Sequence, residues 1–181
     1  MRGRNLCRLT AMALLLSAAL APGVFAAELQ WERFCGRGLC VTLPGHPTVT
    51  DMETPIGSGT ARLRHYVATD SKSHRKVLVS YGAYPKAFFE SRETQQLLDG
   101  ILNGLTEGMS GLLRTEPIKS DADGAADYRF QSTQGIHLWA QVFVLKRSIR
   151  VVAIYSRTEI EPAYADRLFR SLQIIDIDNT V

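Results

Sequence analysis

Four histidines are the side chains of this sequence best suited to catalysis or metal binding: His46, His65, His74 and His137. A serine hydrolase would need one of them beside a nucleophile, often in a Gly-x-Ser-x-Gly motif. Ser58 lies between two glycines, but Ile56 stands where that motif needs a glycine. A zinc-binding His-Glu-x-x-His helix is also missing from the sequence. We therefore predict no catalytic residue, no metal site and no cofactor.

Two of the histidines fall on segments that alternate like strands. His65 and His137 each lie among apolar residues, so each could be a hydrogen-bonded core histidine or could line a pocket. We expect the core position for both. If a pocket exists, the sequence offers His65, His137 and Trp139 as its candidate residues.

Cys35 and Cys40 are the cysteines most suited to pairing. The four residues between them include two glycines, which allow the tight turn that a disulfide there requires. A redox pair normally has two intervening residues. A zinc site that recruited His46 would have three ligands and no second Cys/His pair nearby. In an oxidising compartment a structural disulfide is the expected outcome.

An acidic segment, Asp121-Ala122-Asp123-Gly124, suggests a calcium loop. The twelfth position of such a loop requires a glutamate, and here it is Ser132. An Asp-Gly hairpin turn explains the segment better.

Three glycines, Gly100, Gly104 and Gly108, recur every four residues inside a predicted amphipathic helix. Each costs roughly 1 kcal/mol of helix propensity relative to alanine, so three without a purpose are unexpected. They either permit close packing of the helix or form a groove for a partner. We expect close packing, and the partner groove is the alternative.

The elements that must position these residues follow from hydrophobic periodicity. Alternating segments predict strands at 40–43, 61–69, 76–84, 112–119, 125–132, 136–146, 149–156 and 173–177, and helical spacing predicts helices at 91–109 and 161–171. Residues 48–59 contain Pro55 and a Gly-Ser-Gly segment, and we expect a turn-rich surface stretch there. The strand at 136–145 is apolar on both faces, which predicts a central position. The fold class is thus α+β, an antiparallel sheet of six or seven strands with two helices packed on its faces.

The N-terminus has the pattern of a cleaved export signal. Arg2, Arg4 and Arg8 precede an apolar run at 11–20, and Val24 and Ala26 supply the small residues for a signal peptidase. The run is shorter than the ~20 residues of a membrane-spanning helix. We predict a signal peptide at 1–26, a single domain at 27–181 and a periplasmic or secreted protein.

Cleavage would also change the charge. The whole chain has 21 Lys and Arg against 18 Asp and Glu, and three of those arginines lie in the predicted signal. The mature chain is therefore balanced, which gives no reason to expect nucleic acid as a partner. It has no second apolar run of membrane-spanning length.

Several local sequences resemble the PsbP-like fold family. They are Val-Thr-Leu-Pro-Gly-His-Pro at 41–47, Leu-Asp-Gly at 98–100 with Gly104, and Asp-Arg-Leu-Phe-Arg-Ser-Leu at 166–172. The resemblance extends over about 41–175. It implies a scaffold without shared catalytic residues, whose members act in binding, assembly or chaperone-like roles, and it transfers no site residue.

The sequence thus predicts an exported, non-enzymatic binding or assembly module. Its partner would be a protein or a small ligand of the cell envelope. One alternative is an immunity-like or effector-chaperone protein. The other is an unrecognised periplasmic hydrolase, which would need a histidine or carboxylate with a strongly perturbed pKa in a cleft.

Overall fold

Strands dominate the computed structural model, which describes residues 30–57, 59–107, 112–114, 119–120 and 125–175, with the backbone alone at 112–114 and 119–120. The strands are β1 (Trp31–Gly36), β2 (Leu39–Pro44), β3 (Thr48–Ile56), β4 (Gly59–Asp70), β5 (Arg75–Ala83), β6 (Leu112–Arg114), β7 (Lys119–Ser120), β8 (Ala125–Ser132), β9 (His137–Val144), β10 (Ser148–Ser156) and β11 (Gln173–Ile174). The helices are α1 (Lys86–Glu90), α2 (Thr94–Thr106) and α3 (Pro162–Arg170). The predicted α+β class is confirmed.

Most strands belong to one antiparallel sheet with the order β3-β4-β5-β10-β9-β8-β6, and β7 also pairs with β8. Within the described residues this sheet has eight strands, seven along that path and β7 beside β8. A second, smaller sheet has the order β1-β2-β11. The sequence had indicated neither β1 nor this separate sheet.

The two faces of the large sheet are covered differently. Helix α2 packs on one face through Leu98 and Leu105. The small sheet and α3 cover the other face, where Val41 and Leu168 are fully buried. The two predicted helices thus pack on the faces of the sheet, and the small sheet is an additional cover beside α3. It lies there because β2 is an apolar strand that needs burial as much as α3 does.

Strand β9 is an inner strand of the sheet, as predicted, and its neighbour β10 is the most fully buried strand. Every residue of β10 is buried, because it lies between β5 and β9 and has a packed layer on each face. In β9 the face that contains Trp139 is half-buried. The Arg150 side chain of β10 is 2% exposed, and it donates a hydrogen bond to the Gly38 carbonyl oxygen at 2.7 Å.

The prediction of a turn-rich stretch at 48–59 is wrong for most of its length, since 48–56 form the edge strand β3. Pro55 is tolerated there because an edge strand has one unpaired side, on which a missing N–H costs nothing. The strand is held by its ladder to β4 and by the exposed ion pair in which Arg64 Nη2 lies 2.6 Å from Asp51 Oδ2.

Three sequence predictions fall outside the described residues: the signal peptide at 1–26, Gly108, and the turn at 121–124. The predicted strand at 112–119 is described only at its ends, as β6 and β7. Among the helices described, none is both long enough and apolar enough to cross a membrane.

Candidate functional site

A small apolar cavity lies between α2 and the strands β4, β5 and β10. We call it the α2 pocket, and its volume is about 60 Å³. Its walls are mostly apolar side chains: Leu63, Tyr84, Ile101, Ile149 and Val151. Apart from His65, no acidic or basic side chain is among the described residues that line it. The pocket therefore suits a predominantly apolar group.

His65 is the polar centre of the α2 pocket. It lies on β4, is 2% exposed, and neither Nδ1 nor Nε2 has a hydrogen-bond partner. Buried polar groups are normally hydrogen-bonded, so an unpartnered ring at this depth needs an explanation. Burial also lowers the pKa of His65 below its ordinary value, because it disfavours the charged imidazolium. The ring is consequently neutral at pH 7.

Ser80 lies beside His65 in the pocket. The two residues are directly opposite each other in the β4–β5 ladder, and both are buried. Sequence reasoning missed Ser80, although a signal was present. If Asp70 and Arg75 close the predicted hairpin, antiparallel counting brings His65 and Ser80 into register.

Two of the three helix glycines, Gly100 and Gly104, line this pocket from the side of α2. A β-carbon added at Gly100 would meet no atom within 4 Å, so the space above it is open. This finding disagrees with close packing as the reason for Gly100. The structure thus brings His65 together with Gly100 and Gly104, which the sequence had offered as two separate candidate sites.

The other pocket candidates, His137 and Trp139, do not reach the α2 pocket. They lie on β9 and point to the face covered by α3 and the small sheet, where Trp139 packs against that core. The Arg129 guanidinium lies 3.8 Å from the centre of the Trp139 ring. Trp139 and Phe169 line a separate, more polar groove of about 230 Å³ beside α3.

The remaining histidines are at the surface. His46 is exposed, and its Nδ1 lies 3.6 Å from the exposed Glu32 carboxylate. His74 is exposed in the β4–β5 turn. Within the described part of the chain no cluster of three or more His, Cys, Asp or Glu residues could hold a metal ion.

The Cys35–Cys40 disulfide that the sequence predicts is present. It joins directly opposite residues of β1 and β2, with the two Sγ atoms 2.06 Å apart. Cys35 is exposed and Cys40 is buried. The bond therefore closes the turn of this hairpin at the edge of the small sheet, away from the α2 pocket.

No protein-family model and no curated protein matches the chain. Among solved structures the chain is similar to the solution structure of PsbP from the cyanobacterium Synechocystis sp. PCC 6803, with 12% identity and a TM-score of 0.49. The match covers 86% of this chain and 98% of that chain.

Proposed function

We propose that this protein is a non-catalytic binding module that acts outside the cytoplasm and takes a small, largely apolar group into the α2 pocket. The observation that carries the proposal is the open space above Gly100, a residue that lines the α2 pocket. We take this space as the entrance of the pocket. A glycine costs a helix roughly 1 kcal/mol relative to alanine. Since alanine would clash with nothing at Gly100, packing does not account for this cost, and an entrance for a ligand does.

Export is supported by two observations of different kinds. The first 26 residues have the composition and order of a secretory signal. The Cys35–Cys40 disulfide is of the kind that persists in oxidising compartments and is rare in the cytosol. Together they favour a periplasmic or secreted location for the binding module.

The chemistry of the pocket argues against the hydrolase alternative. A catalytic histidine needs a group that orients its ring, and His65 has no hydrogen-bond partner at either nitrogen. Ser80 is opposite it, but both residues lie inside paired strands. Backbone N–H groups there are used by the ladders, so they are not free to form an oxyanion hole.

A fragment screen on the purified protein tests the proposal. A mixture of small apolar fragments should bind in ligand-observed NMR, and Gly100→Leu should weaken that binding at least tenfold by filling the entrance. Asn103→Leu is the matched control, because it adds the same side chain to an exposed position of α2. Undiminished binding to Gly100→Leu, or no fragment bound by the wild type, would refute the site.

The immunity-like or effector-chaperone alternative makes a different prediction in the same experiment. Such a protein would bind a macromolecule through its surface, and fragment binding in the α2 pocket would be absent. Capture of a protein partner that survives Gly100→Leu would then favour that alternative.

A further inference from the structure

We infer that the ligand of the α2 pocket presents an uncharged head that both donates and accepts hydrogen bonds, a hydroxyl or a carboxamide, to His65. Its apolar chain leads out past Ile101 towards Gly100. This inference rests on the proposed function and names the class of ligand.

The first argument is the state of the His65 side chain. It is 98% removed from solvent, yet both ring nitrogens lack a partner in the described structure. A neutral imidazole has one N–H donor and one acceptor nitrogen. A ligand head that both donates and accepts could satisfy either nitrogen, and Ser80, which lines the same pocket, supplies a hydroxyl.

The second argument concerns charge. A charged head would need an opposite charge in a site from which water is largely excluded. His65 is neutral at pH 7, and burial raises the pKa of the Tyr84 hydroxyl to about 12, so that group is neutral too. With no other acidic or basic side chain among the described lining residues, the pocket favours a neutral head over a carboxylate or an ammonium.

The third argument is size. A cavity of about 150 Å³ holds benzene. A pocket of about 60 Å³ therefore admits a head and one or two carbons, but not an aromatic ring. The remainder of a longer ligand must lie along the apolar wall and emerge where Gly100 leaves open space.

Ordered water is the competing occupant. Water molecules could fill the same volume and hydrogen-bond His65 and Ser80 without any ligand. The two cases differ in what an added alcohol does. In a ligand site the alcohol hydroxyl displaces the water and takes its place. In a site built for structural water the alcohol does not bind.

Four probes of equal chain length separate these cases: 1-butanol, butanamide, 1-chlorobutane and butyrate. Each is titrated into the full-length exported protein with ¹⁵N-labelled histidine, and the ring nitrogens of His65 are followed by NMR at pH 7. We expect 1-butanol and butanamide to shift the His65 nitrogens. 1-Chlorobutane, which cannot donate a hydrogen bond, should bind at least tenfold more weakly, and butyrate should not bind.

Two variants complete the test. His65→Leu should abolish the preference for 1-butanol over 1-chlorobutane, while His137→Leu, on the opposite face of the sheet, should preserve it. Should His65→Leu fail to fold, the ring-nitrogen shifts of the wild type still decide the question.

The outcomes distinguish this inference from the proposed function. Equal binding of 1-chlorobutane and 1-butanol overturns the inference and leaves the binding site intact. Refusal of all four probes, with unchanged His65 nitrogens, means ordered water only and also overturns it. The proposed function itself fails when the wider fragment mixture is refused as well, or when that mixture binds to Gly100→Leu without loss of affinity.

Discussion

Replacing Gly100 by alanine tests the open entrance directly, without any ligand. In an exposed helix interior, alanine is favoured over glycine by about 0.8–1 kcal/mol. The new β-carbon would meet no atom within 4 Å, so no overpacking offsets this gain. We expect Gly100→Ala to raise the free energy of unfolding by about 0.5–1 kcal/mol. For a chain of this size, that corresponds to a rise in melting temperature of roughly 1–4 °C.

Gly82 provides the matched control on the opposite wall of the same pocket. A β-carbon there would lie 2.6 Å from Tyr84 Cε2 and 3.0 Å from Leu63 Cδ2. The Tyr84 ring would have to move, and it stacks on Phe88 with ring centres 4.6 Å apart. Overpacking of this kind costs about 1–3 kcal/mol, so Gly82→Ala should destabilise the protein.

Urea unfolding of the wild type and both variants measures these effects, with the midpoint read at constant slope. The reasoning is refuted if Gly100→Ala lowers the midpoint, because α2 would then pack against the space that the structure leaves open. Equal shifts for Gly100→Ala and Gly82→Ala would also contradict it.

Three further predictions concern His65, the disulfide and processing. The pKa of folded His65 lies below the ~6.5 of an unfolded histidine, so the unfolded state binds more protons as the pH falls below 6.5. The free energy of unfolding should then decrease by at most about 1.4 kcal/mol per pH unit. Urea unfolding of His65→Leu should lack this pH-dependent component. Reduction of Cys35–Cys40 should lower the free energy of unfolding by about 2 kcal/mol without abolishing the fold, and free thiols in the oxidised protein would contradict the bond. N-terminal sequencing of the exported protein should begin at Ala27, whereas retention of Arg2 would contradict export through a cleaved signal.

Local periodicity was sufficient for the elements whose burial is one-sided. Leu97, Leu98 and Leu105 of α2 are buried at helical spacing, as predicted. Periodicity failed for β3, because the polar side chains of this segment and its Pro55 are typical of a loop. That strand is stabilised by its pairing with β4, which no local pattern reports.

The sequence did not indicate, for a similar reason, that β10 is buried even more fully than β9. Arg150 makes β10 look less buried than β9, because an arginine is rarely buried without partners. Its partner, the Gly38 carbonyl, is far away in the sequence and reaches it only through the small sheet. The pairing that makes β10 central was therefore invisible locally.

The candidate site was predicted in pieces. His65 and Gly100 were both singled out, each for its own chemistry, but as members of different sites. They come together because α2 packs on the face of the sheet to which His65 points, and periodicity does not specify that face. Conversely, the sequence groups Trp139 with His65 as pocket candidates. Alternation within β4 and within β9 shows which residues of each strand share a face, but it does not show whether Trp139 and His65 lie on the same face of the sheet.

The strand order has a consequence for how the chain folds. Apart from the pairing of β5 with β10, the large sheet consists of strands that pair with close neighbours in sequence. That one seam joins residues as distant as Lys76 and Tyr155, so loop closure should make it form late. Until then β10, which is buried along its whole length in the folded protein, has an unpaired edge that could join the same strand of another molecule. The exposed cations Lys146, Arg147 and Arg157 lie at its two ends, and their mutual repulsion opposes aggregation while β10 waits for β5.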